Sequence, residues 1–449
     1  MLPLGPRLVV AGTHSGVGKT TVATGLMAAL RRRGHRVAAA KAGPDFIDPG
    51  YHALATGRPP RNLDPWICGL EAMPSLAARA AAGADVLVVE GVMGLFDGAA
   101  DGTPSSTADL ALALDAPVVL VVDGSSMSAS VAALVRGFRD HVCGLRLAGV
   151  VLNRVNSDLH RQLLSEALAE IGVPVLGCLA RSDEFCWRDR HLGLVPAAEQ
   201  ATEVADSLVR LGAAVDAGCD LDQIMHAARA CDDLSVAAPV LPERVGSCTV
   251  AVAGGAAFTF TYTDNIEALE AAGARIVVFD PRRDRSLPAG IDGLVVGGGF
   301  PEVYAPELSA NAPLLADVRD RIRGGLVTWA ECGGLLWLCQ ALDGHRLAGV
   351  LAADASMTER LKLGYRSATA VADSPLAAAG TTLRGHEFHY STVRPEHSEV
   401  AAFVLESRAG RRREGFASDT LVATYLHTHM GADPAPAQRF VARCCASAR

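Results

Sequence analysis

Aromatic residues make up only 5% of this 449-residue chain, the formal net charge is -8, and no Cys-x-x-C pair occurs among its eleven cysteines. Each shortage excludes something. The negative balance argues against a nucleic-acid partner. Without Cys-x-x-C pairs there is no zinc-ribbon spacing, and the adjacent Cys444 and Cys445 read as packing on a terminal helix. No apolar run approaches the ~20 residues of a membrane-spanning helix. No secretory leader pattern opens the chain, so the cysteines are expected to be reduced and the protein cytoplasmic. The arginine runs 31-33 and 411-413 read as a solvated helix end and an exposed loop.

What is abundant is Ala, Gly, Val and Leu, which suits layered α/β structure better than a sandwich. The length calls for two or three domains, since single cores stop growing near ~250–300 residues. Leu8 to Ala11 is an apolar run that opens into Gly12-Thr13-His14-Ser15-Gly16-Val17-Gly18-Lys19-Thr20-Thr21. The order reads strand, phosphate loop, helix, with the helix expected over 21-32. The usual G-x-x-x-x-G-K-[ST] frame would place a glycine at Thr13; Gly12 comes one residue early, so the loop is a longer variant. Backbone N–H groups around Gly16 and Gly18 would cradle phosphates, Lys19 would reach the β- and γ-phosphates of ATP, and the Thr20 hydroxyl would hold Mg²⁺.

A short strand at 37-40 delivers the loop from Lys41 to His52, which carries Asp45, Asp48, Tyr51 and His52. Its residue types suit a cation and a polyanionic substrate, although a polar surface turn has the same composition. The buried run 84-89 ends on Glu90, the expected second Mg²⁺ carboxylate, and Asp97 follows close enough to face the same site. Strands at 117-123, 149-153 and 172-178 and a helix over 197-216 continue the alternation; Asn153 and Arg154 fit either a nucleotide-base contact or a turn. Periodicity lapses from about Asp232 to Gly246, giving a first domain at 1-235, a linker at 236-246 and a second domain at 247-449.

The second half repeats the α/β pattern without a second phosphate loop: strand 248-253, helix 263-272, strand 275-280, then a strand from Gly293 opening into Gly297-Gly298-Gly299. Cys332 stands between the strand 326-331 and the helical stretch that begins at Gly333 and Gly334, a place that favours a thiolate but also suits a small buried residue. A further strand, 421-430, ends on His427 and His429. A cysteine and a histidine at separate strand ends is the arrangement thiol nucleophiles need, and Gly298, Gly299 and Gly333 would supply oxyanion N–H groups.

Taken as a set, Lys41 to His52, Glu90 to Gly98, Gly297 to Glu302, Glu331 to Gly334, Gly385 to Ser391 and Tyr425 to His429 resemble the a,c-diamide synthases of cobalamin biosynthesis, which act on cobyrinic or hydrogenobyrinic acid. The first half is also similar to dethiobiotin synthetase, and the second to class I glutamine amidotransferases with their flavodoxin-like fold. The resemblance implies an ATP- and glutamine-dependent ligase that amidates the a and c acetates of a corrin ring through an acyl phosphate. It implies Mg²⁺ on Thr20, Asp45 and Glu90; phosphate contacts from Gly12, Thr13, Gly16, Gly18, Lys19, Thr20, Thr21 and Lys41; and Asn153 near the nucleotide. Asp48, Tyr51, His52 and Asp97 would lie nearer the corrinoid, and Cys332 with His427 would release ammonia from glutamine. Class I enzymes usually carry a Glu two residues after the histidine, where this chain has His429; Glu387 is the substitute to examine. Expected partners are glutamine and a corrinoid tetrapyrrole, with no nucleic acid and no membrane, and a homodimer is the assembly to test for. The competing readings are an amidoligase for another tetrapyrrole, such as a nickel sirohydrochlorin, and a nucleotide switch with an inactive glutaminase-like half.

Overall fold

The computed structural model describes residues 1-181, 189-190, 193-194, 201-408 and 410-447. The chain divides into two compact units, Met1–Pro239 and Val240–Arg449.

In the first unit seven strands form an all-parallel sheet in the spatial order Arg61–Leu63, Val37–Ala42, Val86–Glu90, Arg7–Gly12, Val118–Asp123, Leu147–Val155, Val175–Ala180. Its central strands Arg7–Gly12 and Val86–Glu90 are buried throughout and apolar between Arg7 at one end and Glu90 at the other, as parallel strands covered on both faces are. The helix Lys19–Arg32 buries Val22, Leu26, Met27 and Leu30 against Val10, Val121, Leu211 and Val215. It begins two residues earlier than the sequence suggests, at the phosphate-loop lysine. The helix read at 197-216 runs Ala201–Gly218, and residues 197-200 lie outside those described.

Within the stretch from Asp232 where periodicity lapses, Leu234–Val236 is a strand, paired antiparallel with Leu2–Leu4. Arg7 holds this closure. Its guanidinium is fully buried and donates to the carbonyls of Leu4, Gly5, Leu114, Asp115 and Asp232. A local sequence pattern contains nothing of contacts made across more than two hundred residues.

The second unit has a parallel core in the order Ala274–Phe279, Cys248–Ala253, Gly293–Val296, Val327–Glu331, Leu421–Thr424. Antiparallel strands then extend it: Gly410–Ala417, Ala401–Ser407, and the 17-residue Asp354–Ala370, which also pairs with Thr382–Arg394. The sequence reading left this extension unassigned. Asp354–Ala370 is half-buried with charges on both sides and shifts register between Met357 and Lys362, so it shows no clean period of two. The arginine run 411-413 lies on one of these strands rather than in an exposed loop.

The predicted continuous strand 421-430 is two pieces. Leu421–Thr424 belongs to the parallel core, whereas His427 and Thr428 pair antiparallel with His386 and Gly385. The break falls where Glu414 accepts hydrogen bonds from the Thr424 hydroxyl and the Tyr425 N–H, each at 2.7 Å. A side chain takes over there from the sheet ladder.

Candidate functional site

Two polar sites lie at strand carboxyl ends, one in each unit.

In the first, the chain leaves the strand Arg7–Gly12 and turns through Gly16 and Gly18, whose φ angles of 84° and 96° suit glycine. A Cβ on Gly12 would stand 2.5 Å from Val17, and one on Gly18 would stand 2.2 Å from Asn153 Nδ2. Asn153 is committed to the loop: Nδ2 donates to the Val17 carbonyl at 2.8 Å, and Oδ1 accepts from the Arg154 N–H. Arg154 donates to the Gly16 carbonyl at 2.9 Å. Both residues brace the loop, the turn role that the sequence leaves open for them beside a base contact. Thr13 Oγ1 lies 3.1 Å from His14 Nδ1, and Thr21 is half-buried in the first helical turn. Lys19 is buried, donates to the His14 carbonyl at 3.1 Å, and has its pKa lowered to about 8 by burial and by nearby Lys41.

Thr20 Oγ1 donates to Glu90 Oε1 at 2.7 Å and approaches Asp48 Oδ2 at 3.4 Å. Lys41 Nζ bridges the same two carboxylates, 2.6 Å from Asp48 and 2.8 Å from Glu90. Lys41 therefore faces carboxylates here rather than phosphate, and the carboxylate beside Thr20 is Asp48 rather than Asp45. Asp45 Oδ1 instead accepts the N–H groups of Ile47 and Asp48 and shapes the start of the helix Asp48–Thr56. That helix turns two other expected substrate contacts inward. Tyr51 packs in the core of the unit, and His52, fully buried, lies 2.6 Å from Glu90 Oε2 through Nε2. Asp97, exposed, accepts from the Gly94 N–H at 2.8 Å within its own turn.

Burial opposes charge at Glu90, but Lys41 and His52 hold its pKa well below the usual carboxylate range. Burial, Asp45 and Glu90 push that of Asp48 up. Thr20, Asp48 and Glu90 thus gather hard oxygens around Lys41 Nζ, a donor set that fits Mg²⁺ shared with nucleotide phosphates.

In the second unit Cys332 turns the chain from the strand Val327–Glu331 into the helix Gly333–Leu338 with φ 48° and ψ -101°. That is a strained conformation for a residue with a side chain. A Cβ on Gly334 would lie 2.2 Å from the Val296 carbonyl, so the turn admits only glycine there. The buried His427 has its pKa raised to about 10: burial works against the charged ring, and the neighbouring Cys332 and Glu331 overcome it. His429 is occupied elsewhere, with Nδ1 accepting from the Gly431 N–H and Nε2 3.8 Å from Asp264.

The expected oxyanion donors separate. The Gly298 N–H is spent on the Phe260 carbonyl at 3.1 Å, whereas those of Gly299 and Gly333 have no partner among the described residues. A Cβ on Gly333 would come 3.0 Å from the Gly299 nitrogen, so the two N–H groups are close neighbours. Glu387 is buried and satisfied by three bases, Arg366 at 2.7 Å, His389 at 2.9 Å and Arg412. Adjacent strand residues face opposite sides, and His386 pairs with His427, so Glu387 faces away from that histidine.

Two groups at this site escaped the sequence reading. Glu331, next to the cysteine, approaches His427 Nδ1 at 3.5 Å. Asn265 clamps the histidine segment, donating to the Thr428 carbonyl and accepting from the Met430 N–H, each at 2.7 Å.

Comparison with known proteins gives the same division of labour. Residues 8-194 match the CobQ/CobB/MinD/ParA nucleotide binding domain, and residues 249-435 match the CobB/CobQ-like glutamine amidotransferase domain. Over 98% of its length the chain is 51% identical to the hydrogenobyrinate a,c-diamide synthase of Streptomyces coelicolor, of which it covers 97%. The chain belongs to the a,c-diamide synthase family. It is 47% identical to the hydrogenobyrinate a,c-diamide synthase of Thermobifida fusca (97% of this chain, 96% of that one) and 41% identical to the cobyrinate a,c-diamide synthase of a Synechococcus strain (97% and 98%). As a member of this family the protein is an amidoligase with a nucleotide site and a glutamine amidotransferase domain. Among the described residues no helix is long and apolar enough to cross a membrane.

Proposed function

We propose that the protein uses ATP and glutamine to convert the a and c acetate carboxylates of hydrogenobyrinic acid into amides, working in the cytoplasm. The observation that carries this reading is the coexistence of a phosphate loop backed by Thr20, Asp48 and Glu90 in one unit with a Cys332–His427 pair at strand ends in the other. A nucleotide switch has no use for the second. The metal-free corrinoid is favoured over cobyrinate because the two relatives named for hydrogenobyrinate are the more similar, at 51% and 47% identity against 41%.

In the thiol site, Cys332 sulfur attacks the side-chain amide carbon of glutamine while the Gly299 and Gly333 N–H groups hold the oxyanion. The C–N bond breaks, His427 gives its proton to the leaving nitrogen, and water then cleaves the thioester to glutamate and free thiol. In the nucleotide site, Lys19 and the loop N–H groups would position the γ-phosphate for attack by a substrate carboxylate oxygen, the new O–P bond forming as the bond to ADP breaks. Ammonia then displaces phosphate from the acyl carbon. Mg²⁺, held by Thr20, Asp48 and Glu90, would supply charge screening on the phosphates.

The test is mass spectrometry of hydrogenobyrinate, cobyrinate and other tetrapyrrole carboxylates incubated with protein, ATP, Mg²⁺ and glutamine. Two successive acid-to-amide changes on hydrogenobyrinate are expected, and preferential turnover of a different tetrapyrrole would overturn the substrate. Cys332→Ser should lose glutamine-driven product but regain it with concentrated ammonia at raised pH. Failure with both nitrogen sources, in a folded protein, would overturn the two-site mechanism.

A further inference from the structure

We propose that Glu331 is the positioning carboxylate of the thiol site, completing a Cys-His-Glu set in which the acid directly precedes the nucleophile in the chain. The assignment rests on the glutaminase reading of Cys332.

Neighbouring residues of an extended strand point to opposite faces, so Glu331 and Cys332 should not both reach one histidine. The turn at Cys332, with φ 48° and ψ -101°, breaks that alternation and lets both side chains meet His427. Glu331 is itself fixed. Its Oε1 accepts from the Thr428 N–H at 3.0 Å and the Thr428 hydroxyl at 2.8 Å, leaving Oε2 at 3.5 Å from His427 Nδ1. The Cε1–Nε2 edge of the ring faces the glycine loop, since a Cβ on Gly298 would lie 2.5 Å from His427 Cε1 and 3.3 Å from Nε2.

The other titratable groups around the ring do not compete for this role. Cys332 is the nucleophile. His386 has its pKa pushed down to about 3 by burial and by His427, and so stays neutral. Glu387 is turned away and bound to Arg366, His389 and Arg412, while Asp264 lies beside His429. A carboxylate behind Nδ1 keeps a proton on that nitrogen, so Nε2 exchanges its proton with the thiol and then with departing ammonia. The distance of 3.5 Å is long for a hydrogen bond, and catalytic contacts in ligand-free sites commonly tighten when substrate binds.

The sequence position hides the role, because this acid lies ninety-six residues before the histidine instead of two after it.

Glu331→Gln retains an acceptor for Thr428 and removes the charge. In the full chain, kcat for glutamine hydrolysis should fall by at least ~10²-fold with KM little changed, a smaller loss than the ~10⁴ seen when a tightly bonded triad acid is neutralised. Alkylation of Cys332 by iodoacetamide, followed on its own peptide by mass spectrometry from neutral to alkaline pH, should slow most near neutral pH, because an imidazolium without the carboxylate behind it is a weaker partner for the thiolate. Glu331→Asp, which keeps the charge at a shorter reach, should recover part of both and serves if the glutamine variant fails to fold. Wild-type kcat and alkylation profile in folded Glu331→Gln would overturn the proposal and leave Glu331 a brace for Thr428. Retained glutamine hydrolysis in Cys332→Ser would instead remove the glutaminase reading beneath it.

Discussion

Both units build their site where a strand opens into a helix, but they place the backbone strain on different residues. In the phosphate loop the positive φ angles fall on Gly16 and Gly18, while the residues with chemistry, Lys19 and Thr20, begin an ordinary helix. In the thiol elbow the positive φ falls on Cys332 itself, and glycines follow it. A loop that binds through its own N–H groups needs a bare backbone at the bend. A loop that presents a nucleophile needs the side chain at the bend, and Cys332 holds that place while buried, its sulfur 3.8 Å from the Phe388 carbonyl. The electrostatics differ as well. Around Thr20 two carboxylates share a lysine, whereas around Cys332 one carboxylate stands beside one histidine.

The largest effect should come from disabling one bend at a time. Lys19→Ala should lower ATP-dependent amidation by ~10²–10³-fold with either nitrogen source, the usual result of removing one charge-stabilising donor, while glutamine hydrolysis persists. Product formation at the wild-type rate would break the assignment of Lys19. Gly18→Ala sharpens the contrast in strain. The new Cβ meets Asn153 at a φ of 96°, so the loop must distort by roughly 1–2 kcal/mol, and KM for ATP should rise about tenfold. An unchanged KM would show that the loop opens freely. Next comes Asp48→Asn, which should raise the Mg²⁺ concentration for half-maximal activity about tenfold, because one of two anionic oxygens is lost. Asp45→Asn should do less, since Asp45 acts on Asp48 through the turn. The reverse order would restore Asp45 as the ligand.

Legibility in the sequence followed the same divide. Residues whose place is set locally were readable: the loop glycines, Lys19 and Thr20 at the helix start, Glu90 at its strand end, and Cys332 at its turn. Residues whose role depends on a distant partner were not. Asp45 and Asp48 are three apart on one loop, and only the helix Asp48–Thr56 decides which faces Thr20. The same helix buries Tyr51 and His52. Arg412 looked like part of a solvated run, yet it crosses to Glu387 on another strand. Glu331 stood beside the cysteine and went unread, since family pattern places the acid after the histidine. The parallel cores were legible from uniform apolar runs, whereas the antiparallel extension, half-exposed and shifted in register, was not.

The smallest expected effect is one of pH. Glu414 is fully buried beneath the segment that leads to His427, and burial raises its pKa from 4.5 to about 7 despite hydrogen bonds from Tyr425 and Thr424 and the charge of Arg412; the neighbouring Glu387 adds to the rise. Between these values the folded chain holds a proton that the unfolded chain has lost, so stability falls as pH rises from about 4.5 to about 7 and levels off above. At 1.36 kcal/mol per unit the decline is at most about 3 kcal/mol. Glutamine mimics the protonated acid: its oxygen accepts the Tyr425 N–H, and its amide nitrogen donates to the Thr424 hydroxyl. Glu414→Gln should therefore match wild type near pH 5 and exceed it near pH 8, in denaturant melts followed by the fluorescence of Trp329 and Trp337, both buried in this unit. In the first unit burial, Asp45 and Glu90 raise the pKa of Asp48 as well, so Glu414→Gln removes only the second unit's share of the decline. Parallel curves for wild type and Glu414→Gln across this range would mean that Glu414 stays ionised in the folded chain, and that the break in the strand at Tyr425 is held by a charge.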